Sequence, residues 1–252
     1  MAAALELLKR AEGTVLTSRG GKQRRLTLLP PLNADEWHRL EAQLPCPIPA
    51  DIRELFQYTR GFEGPDALKT THGEFTKVDL SGLEGGFGLE EVFPHAVSIA
   101  GDGSGNFWVI DLDSSSKSWG PVFYACHDAP VIVYQTNSLS HFIEDLLKGC
   151  NPPWKSEIED VHGQFADRIW RENPGVLSFE QGADSKDEEL RAFARSLDPT
   201  YEFVDLRFPQ LGDGLSWGRY GGKFVVKRFG EKRIFANKII KSRWQKFKDG
   251  LK

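Results

Sequence analysis

Four consecutive apolar residues, Phe107-Trp108-Val109-Ile110, constrain this chain more than any other stretch. A strand with one wet face alternates apolar and polar side chains. A strand with no polar side must be covered on both faces. Further strand-like runs lie close by, at 96–100, 122–125 and 132–134. The links between them are too short for parallel crossovers, so they read as an antiparallel meander. Helical patterns flank the meander. Asn33 precedes a helix with Trp37, Leu40 and Leu44 on one face, and Pro49 opens a second with Ile52, Leu55 and Phe56. Ser138 precedes a third, in which Leu139, Phe142, Ile143, Leu146 and Leu147 follow the full amphipathic template. The fold class is therefore α+β, a mainly antiparallel sheet flanked by helices.

Punctuation divides the 252 residues into three segments. Residues 1–30 read as a short helix and a hairpin around Arg19-Gly20-Gly21-Lys22, stopped by Pro30-Pro31. Residues 31–150 hold the meander and its helices. Asn151-Pro152-Pro153 opens an extension, 151–252, with helices from Ser156 and Ser185 and strands near 201–206, 224–226 and 234–236. Ser156 with Glu159 has capping-box spacing, as does Ser185 with Glu188. The end is basic, with Ile240, Trp244, Phe247 and Leu251 at helical spacing. Gly61 reads as the left-handed cap that ends the second helix.

Charge is unevenly spread. Residues 31–150 carry 7 Lys/Arg against 18 Asp/Glu, a balance of −11, and residues 201–252 carry 13 against 5, a balance of +8. An acidic middle repels nucleic acid and anionic lipid and attracts basic proteins. The basic tail reads as packing its apolar stripe on the core with its charges toward the acidic segment. The start, MAAALELLKR, lacks the pattern of a secretory signal, and no run approaches a membrane span. These features place the expected compartment in the cytoplasm.

Catalytic motifs are not matched. The loop Gly101-Asp102-Gly103-Ser104-Gly105-Asn106 joins two strands with no following Lys, unlike a phosphate loop, and has too few acids for a calcium loop. Its glycines and Asn suit a hairpin turn. Cys46, Cys126 and Cys150 are widely spaced, and the six histidines form no zinc pattern. His127-Asp128 as base and orienter, or Glu90 and Glu91 with Asp111 and Asp113 as hydrolytic acids, are enzymatic readings ranked below a surface role. No cofactor or metal is expected.

An ordered series of motifs from about Leu44 to Leu147 resembles the SUKH superfamily, which contains fungal Smi/Knr-type cell-wall regulators and bacterial immunity proteins. It opens with Leu44-Pro45, Ile48-Pro49, Ile52, Leu55-Phe56 and Gly61-Phe62. It continues with Ile99 to Asn106, Trp108 and Ile110-Asp111, then Val122-Phe123-Tyr124 and His127-Asp128, and closes on Ser138-Leu139 with Phe142-Ile143 and Leu146. In this resemblance Pro45, Gly61, Gly101, Asp102, Gly103, Gly105, Asn106, Trp108, Ser138 and Phe142 are structural motif positions. The resemblance implies an α+β domain, no catalytic residues and a protein partner. Among bacterial members it implies an antidote that binds a toxin, often a basic nuclease domain. The expected function is a cytoplasmic immunity protein, with a regulatory scaffold as the alternative and a hydrolase behind both. Glu90, Glu91, Asp111 and Asp113 are the expected charged rim, and Trp119 is the expected exposed anchor.

Overall fold

The computed structural model describes residues 3–17, 21, 23–63, 69–70, 73–74, 78–83, 92–127, 129–217 and 223–240. Helix α1 (Ala4–Ala11) leads into the hairpin β1 (Val15–Thr17) and β2 (Gln23–Arg25), then β3 (Thr27–Leu28). The N-terminal hairpin expected from the sequence forms, but its return strand is 23–25, one step earlier than the apolar run at 26–29. Leu28 instead pairs with Phe62. Helices α2 (Ala34–Gln43) and α3 (Ala50–Tyr58) follow. Asn33 caps α2 in a reciprocal box with Glu36, as its spacing predicts.

Short strands come next: β4 (Gly61–Glu63), β5 (Lys69–Thr70), β6 (Gly73–Glu74) and β7 (Val78–Asp79). Gly61 is not the cap of α3; Thr59 occupies that position. Gly61 lies in β4 at φ +154°, where a Cβ would sit 1.9 Å from the Val78 carbonyl oxygen. The glycine is needed for backbone approach, not for ending a helix.

The central sheet contains β8 (Ala96–Gly101), β9 (Phe107–Asp113), β10 (Ser118–Cys126) and β11 (Val131–Thr136), all antiparallel. Helix α4 (Leu139–Gly149) is capped by the Ser138 hydroxyl, which accepts from the His141 N–H. The extension begins with α5 (Glu157–Asp160), a π-helical turn Val161–Phe165, and α6 (Ala166–Glu172). Then come α7 (Phe179–Ala183), α8 (Glu188–Arg195), β12 (Glu202–Asp205), β13 (Gly214–Ser216), β14 (Lys223–Arg228) and β15 (Ile234–Ile240). The chain is α+β. Ile240 belongs to strand β15, and the rest of the basic tail lies outside the described residues.

Two expected capping boxes are replaced. Ser156 caps α5 together with the buried Asp145 of α4, whose carboxylate accepts from the Ile158 N–H at 2.9 Å. Asp187, not Ser185, caps α8. At α5 the Ser156 cap is kept and shares the Ile158 N–H with an aspartate, and at α8 an aspartate takes the capping position, since an ionised acceptor makes a strong bond to a helix N-terminus.

The sheet order β13-β11-β10-β9-β8 shows how the segments combine. The extension supplies the edge strand β13, which pairs with β11. On one face, Trp108, Ile110, Val122, Tyr124 and Val133 meet α1, α3, α4 and the α5–α6 helix in a single core. On the other face, Val109, Phe123 and Ile132 meet Val204, Leu206, Val226 and Phe235. Those residues belong to a second sheet, ordered β12-β15-β14 and the segments beside it. Helices α7 and α8 cover its far side through Leu190, Phe193 and Ala194. The layers run helix, sheet, sheet, helix. Strand β9 is covered on both faces, which is why its four apolar residues have no polar alternation.

Candidate functional site

The Gly101–Asn106 loop is the hairpin turn between β8 and β9. Gly103 and Gly105 take positive φ, at +77° and +89°. Asp102 folds back inside the turn and is 1% exposed. One carboxylate oxygen accepts the Ser104 and Asn106 backbone N–H groups at 2.8 and 3.2 Å. The other accepts the Asn106 amide at 2.6 Å and the His162 Nε2–H at 2.9 Å. Burial opposes ionisation of Asp102. The hydrogen bonds from His162, Asn106 and the loop backbone outweigh it, and the carboxyl is held below its ordinary range.

His162 comes from the extension, on the π-helical turn. Its ring stacks on Trp108 at 5.7 Å and tilts against Tyr124 at 5.1 Å. The side-chain oxygen of Asn106 faces both the backbone N–H and Nδ1 of His127, each at 3.0 Å. The Asn106 amide nitrogen is committed to Asp102, so Nδ1 of His127 carries the proton that it donates. Asn106 is one partner of the His127 ring, and Asp128 lies outside the described residues. The chain Asp102–Asn106–His127, with His162 joined to Asp102, ties a turn of the meander to the extension. A general base must reach a substrate proton. Asp102 and His162 are both buried and bonded to each other, so this end of the network orients the loop, while His127 at its other end is exposed.

Asp111 corrects an expectation. It is not part of an exposed acidic rim but is fully buried at the sheet–sheet contact. Arg228 binds it in a fork, at 2.7 and 2.9 Å, and Arg233 adds a third bond at 2.7 Å. Arg228 also donates to the backbone carbonyls of Val92, Glu231 and Lys232, so all five of its N–H groups are used. Strand periodicity explains the burial. Trp108, Ile110 and Leu112 point to the helices, which sends Val109 and Asp111 toward the second sheet. Part of the acid–base contrast between the two segments is thus satisfied inside the molecule. The contact is made by the β14–β15 hairpin.

Trp119 is a second correction. It is half-buried, not an exposed anchor, and packs on the helix-side core with its ring 6.3 Å from Phe56. Asp113 caps the β9–β10 turn, accepting from the backbone and hydroxyl of Ser115 and the backbone of Ser116 at 2.6 to 3.1 Å. Burial works against the Asp113 carboxylate, and these bonds override it, so its pKa falls well below the usual range. Glu90 and Glu91 lie outside the described residues. An open cavity of about 350 Å³ lies at the α2–α3 corner, lined by Glu41, Leu44, Pro45, Cys46, Pro47, Ile48 and Arg53. Burial, and then the Asp113 charge, push the Cys46 thiol pKa up, which keeps it protonated. Arg53 bridges to Glu41 at 2.8 Å and lies over the Trp37 ring. This corner is the candidate surface that retains an expected charged residue, Asp113, and the motif residue Pro45.

Among the described residues, no group of three or more His, Cys, Asp or Glu is placed to hold a metal ion. No described helix is long and apolar enough to cross a membrane. Residues 31–145 match the SMI1 / KNR4 family (SUKH-1). This segment belongs to the SUKH superfamily. No curated protein and no solved structure matches the chain. SUKH domains are in general non-catalytic modules that bind other proteins. Within the matched SUKH segment the residues Asp102, Asn106, Trp108 and Phe142 are all buried. Sequence reading missed the partners that the extension supplies. His162, Arg228 and Arg233 carry no local motif, and only the opposite charge balances of the two segments pointed toward such pairs.

Proposed function

We propose that this chain is a cytoplasmic immunity protein that neutralises a toxin by binding it and blocking its working surface. The observation that carries the reading is the SUKH segment with its surplus of 11 negative charges. Asp111 is consumed internally by two arginines, which leaves an acidic excess on the same segment. Nuclease toxins hold their substrate on basic surfaces, and an acidic partner meets such a surface with a fast, salt-sensitive association. The α2–α3 corner and Asp113 are the proposed contact face, and Glu90 and Glu91 are proposed as further charged contacts. The Trp119 ring supports that corner from behind through Phe56.

The test is co-expression with the product of the adjacent gene, followed by binding kinetics on the purified pair. The chain is expected to rescue growth. Glu90→Lys with Glu91→Lys is expected to slow association about tenfold, with a smaller effect at high salt. No rescue, or association indifferent to both charge reversal and salt, rejects the toxin-blocking role.

A further inference from the structure

We infer that the loop after β12 is a second protein-docking point, built around Phe208, for a partner that offers an apolar pocket with a basic rim. The loop lies outside the segment matched by the SUKH family. The inference rests on reading the chain as a binding module, and it adds a face to it.

Phe208 is 90% exposed, far beyond the other exposed large apolar residues among those described, Val15 at 49% and Tyr58 at 39%. Leaving a phenylalanine in water is unfavourable, and interfaces are enriched in aromatic side chains. The backbone around it is tightly held. Leu206 donates its N–H to the Arg233 carbonyl at 2.7 Å, and Gly212 donates to Tyr134 at 3.2 Å. Between these anchors, Gln210 donates to the Asp213 carboxylate and accepts from the Asp213 N–H, both at 2.8 Å. Pro209 fixes its own φ. Arg207, next to Phe208, is clamped by three carboxylates: Asp205 at 2.6 Å, and Asp187 and Glu189 at 2.8 Å each. The aromatic ring is therefore the free element of a rigid loop. Such a pre-set anchor loses little entropy when it is buried by a partner.

The surrounding charges define the partner. The Arg207 side chain is 16% exposed, whereas Asp187 and Glu189 are 41% and 39% exposed. The guanidinium lies beneath and the carboxylates face water. Asp205 and Asp213 add two more acids on the same loop and its strand. Lys232 binds Glu189 at 3.4 Å, and Arg168 reaches the Gly212 carbonyl from the other side. On this loop and the elements bonded to it, Asp187, Glu189, Asp205 and Asp213 are four acids against the three bases Arg207, Lys232 and Arg168. That rim repels an anionic lipid surface and favours lysine or arginine on the partner.

The experiment places the photoreactive residue p-benzoylphenylalanine at position 208 of the full chain and irradiates it in lysate of the source cells. A crosslink to another protein is expected. The unlabelled chain should compete it away at a concentration about 30-fold lower than Phe208→Ser requires, and raising the salt should weaken it. The melting temperature of Phe208→Ser should match the parent, since the ring has no packing to lose. Equal competition by the two chains, a crosslink only to a second copy, no crosslink, or Phe208-dependent pelleting with phosphatidylcholine–phosphatidylserine vesicles each overturns the inference. Growth rescue tests the toxin-blocking role alone, so a chain that rescues growth but gives no Phe208-dependent crosslink keeps that role and loses this docking point.

Discussion

Asp111 shows how one side chain can change meaning between sequence and structure. In the sequence it is an acid beside another acid, Asp113, two residues along. In the fold the two point to opposite environments, one into a buried arginine fork and one onto its own turn. The arginines are brought from more than a hundred residues away, so no local pattern could have announced them. A buried charge without its partner is costly, and removing Asp111 would strand both Arg228 and Arg233. Asp111→Ala is expected to destabilise the fold by about 3–5 kcal/mol, read by urea denaturation. A more specific probe is Gly120, which lies beside the triad. A Cβ there would meet the Asp111 carbonyl oxygen at 2.3 Å and the Arg233 guanidinium at 2.4 Å. Gly120→Ala is expected to cost about 2 kcal/mol, and only the share due to the guanidinium should vanish when Arg233→Ala is already present, because the Asp111 carbonyl is backbone and stays. Additive costs in that double-mutant cycle would show that the glycine serves the strand alone.

Elements with strong periodicity were legible; elements joined by long-range polar contacts were not. Helix α4 and strand β9 follow directly from where their apolar residues recur, and the Asn33 and Ser138 caps follow from local spacing. The helix after Ser156 was legible as a helix through Ile158, Val161 and Ile169 but not in its detail. A π-helical turn at Val161–Phe165 widens it and lets Val161 and His162 both face inward. The periodicity of 3.6 residues has no term for that extra residue, so nothing in the sequence sets His162 apart from the other histidines. Its bond to Asp102 gives a pH test. Asp102 is held below its ordinary pKa in the folded chain, and the unfolded value is about 3.9. The unfolded chain therefore binds the proton first, and the contribution is present above that value and lost as pH falls through the folded pKa. Thermal unfolding followed from neutral to acid pH is expected to show stability dropping below about pH 4. Asp102→Asn should be less stable at neutral pH and should flatten that acid slope. An unchanged slope would assign the acid sensitivity to other carboxylates.

The three segments legible in the sequence are stitched together in space. Strand β13 of the extension completes the edge of the meander sheet, and the N-terminal hairpin is tied to the far side of the 151–153 link. There the Trp154 indole donates to the Thr17 carbonyl at 2.8 Å, and Thr17 donates back to Asn151. The second sheet covers Val109, Phe123 and Ile132, which no other element covers among the described residues. These contacts bear on how the chain can be cut. Residues 31–150 alone would expose that apolar face, take both arginines from Asp111, and remove His162 from Asp102. Each exposed large apolar side chain forfeits about 1.5–3 kcal/mol of burial. A domain's net stability is about 5–15 kcal/mol, so these losses together exhaust it. The isolated 31–150 segment is expected to bind a hydrophobic dye and to lack a cooperative thermal transition, while the full chain melts sharply. A sharp transition in the short segment would mean that the extension is an accessory to a self-sufficient SUKH domain. The predicted failure would mean that the extension has become part of the sheet's own hydrophobic closure, and that partner recognition must use the surfaces left outside it.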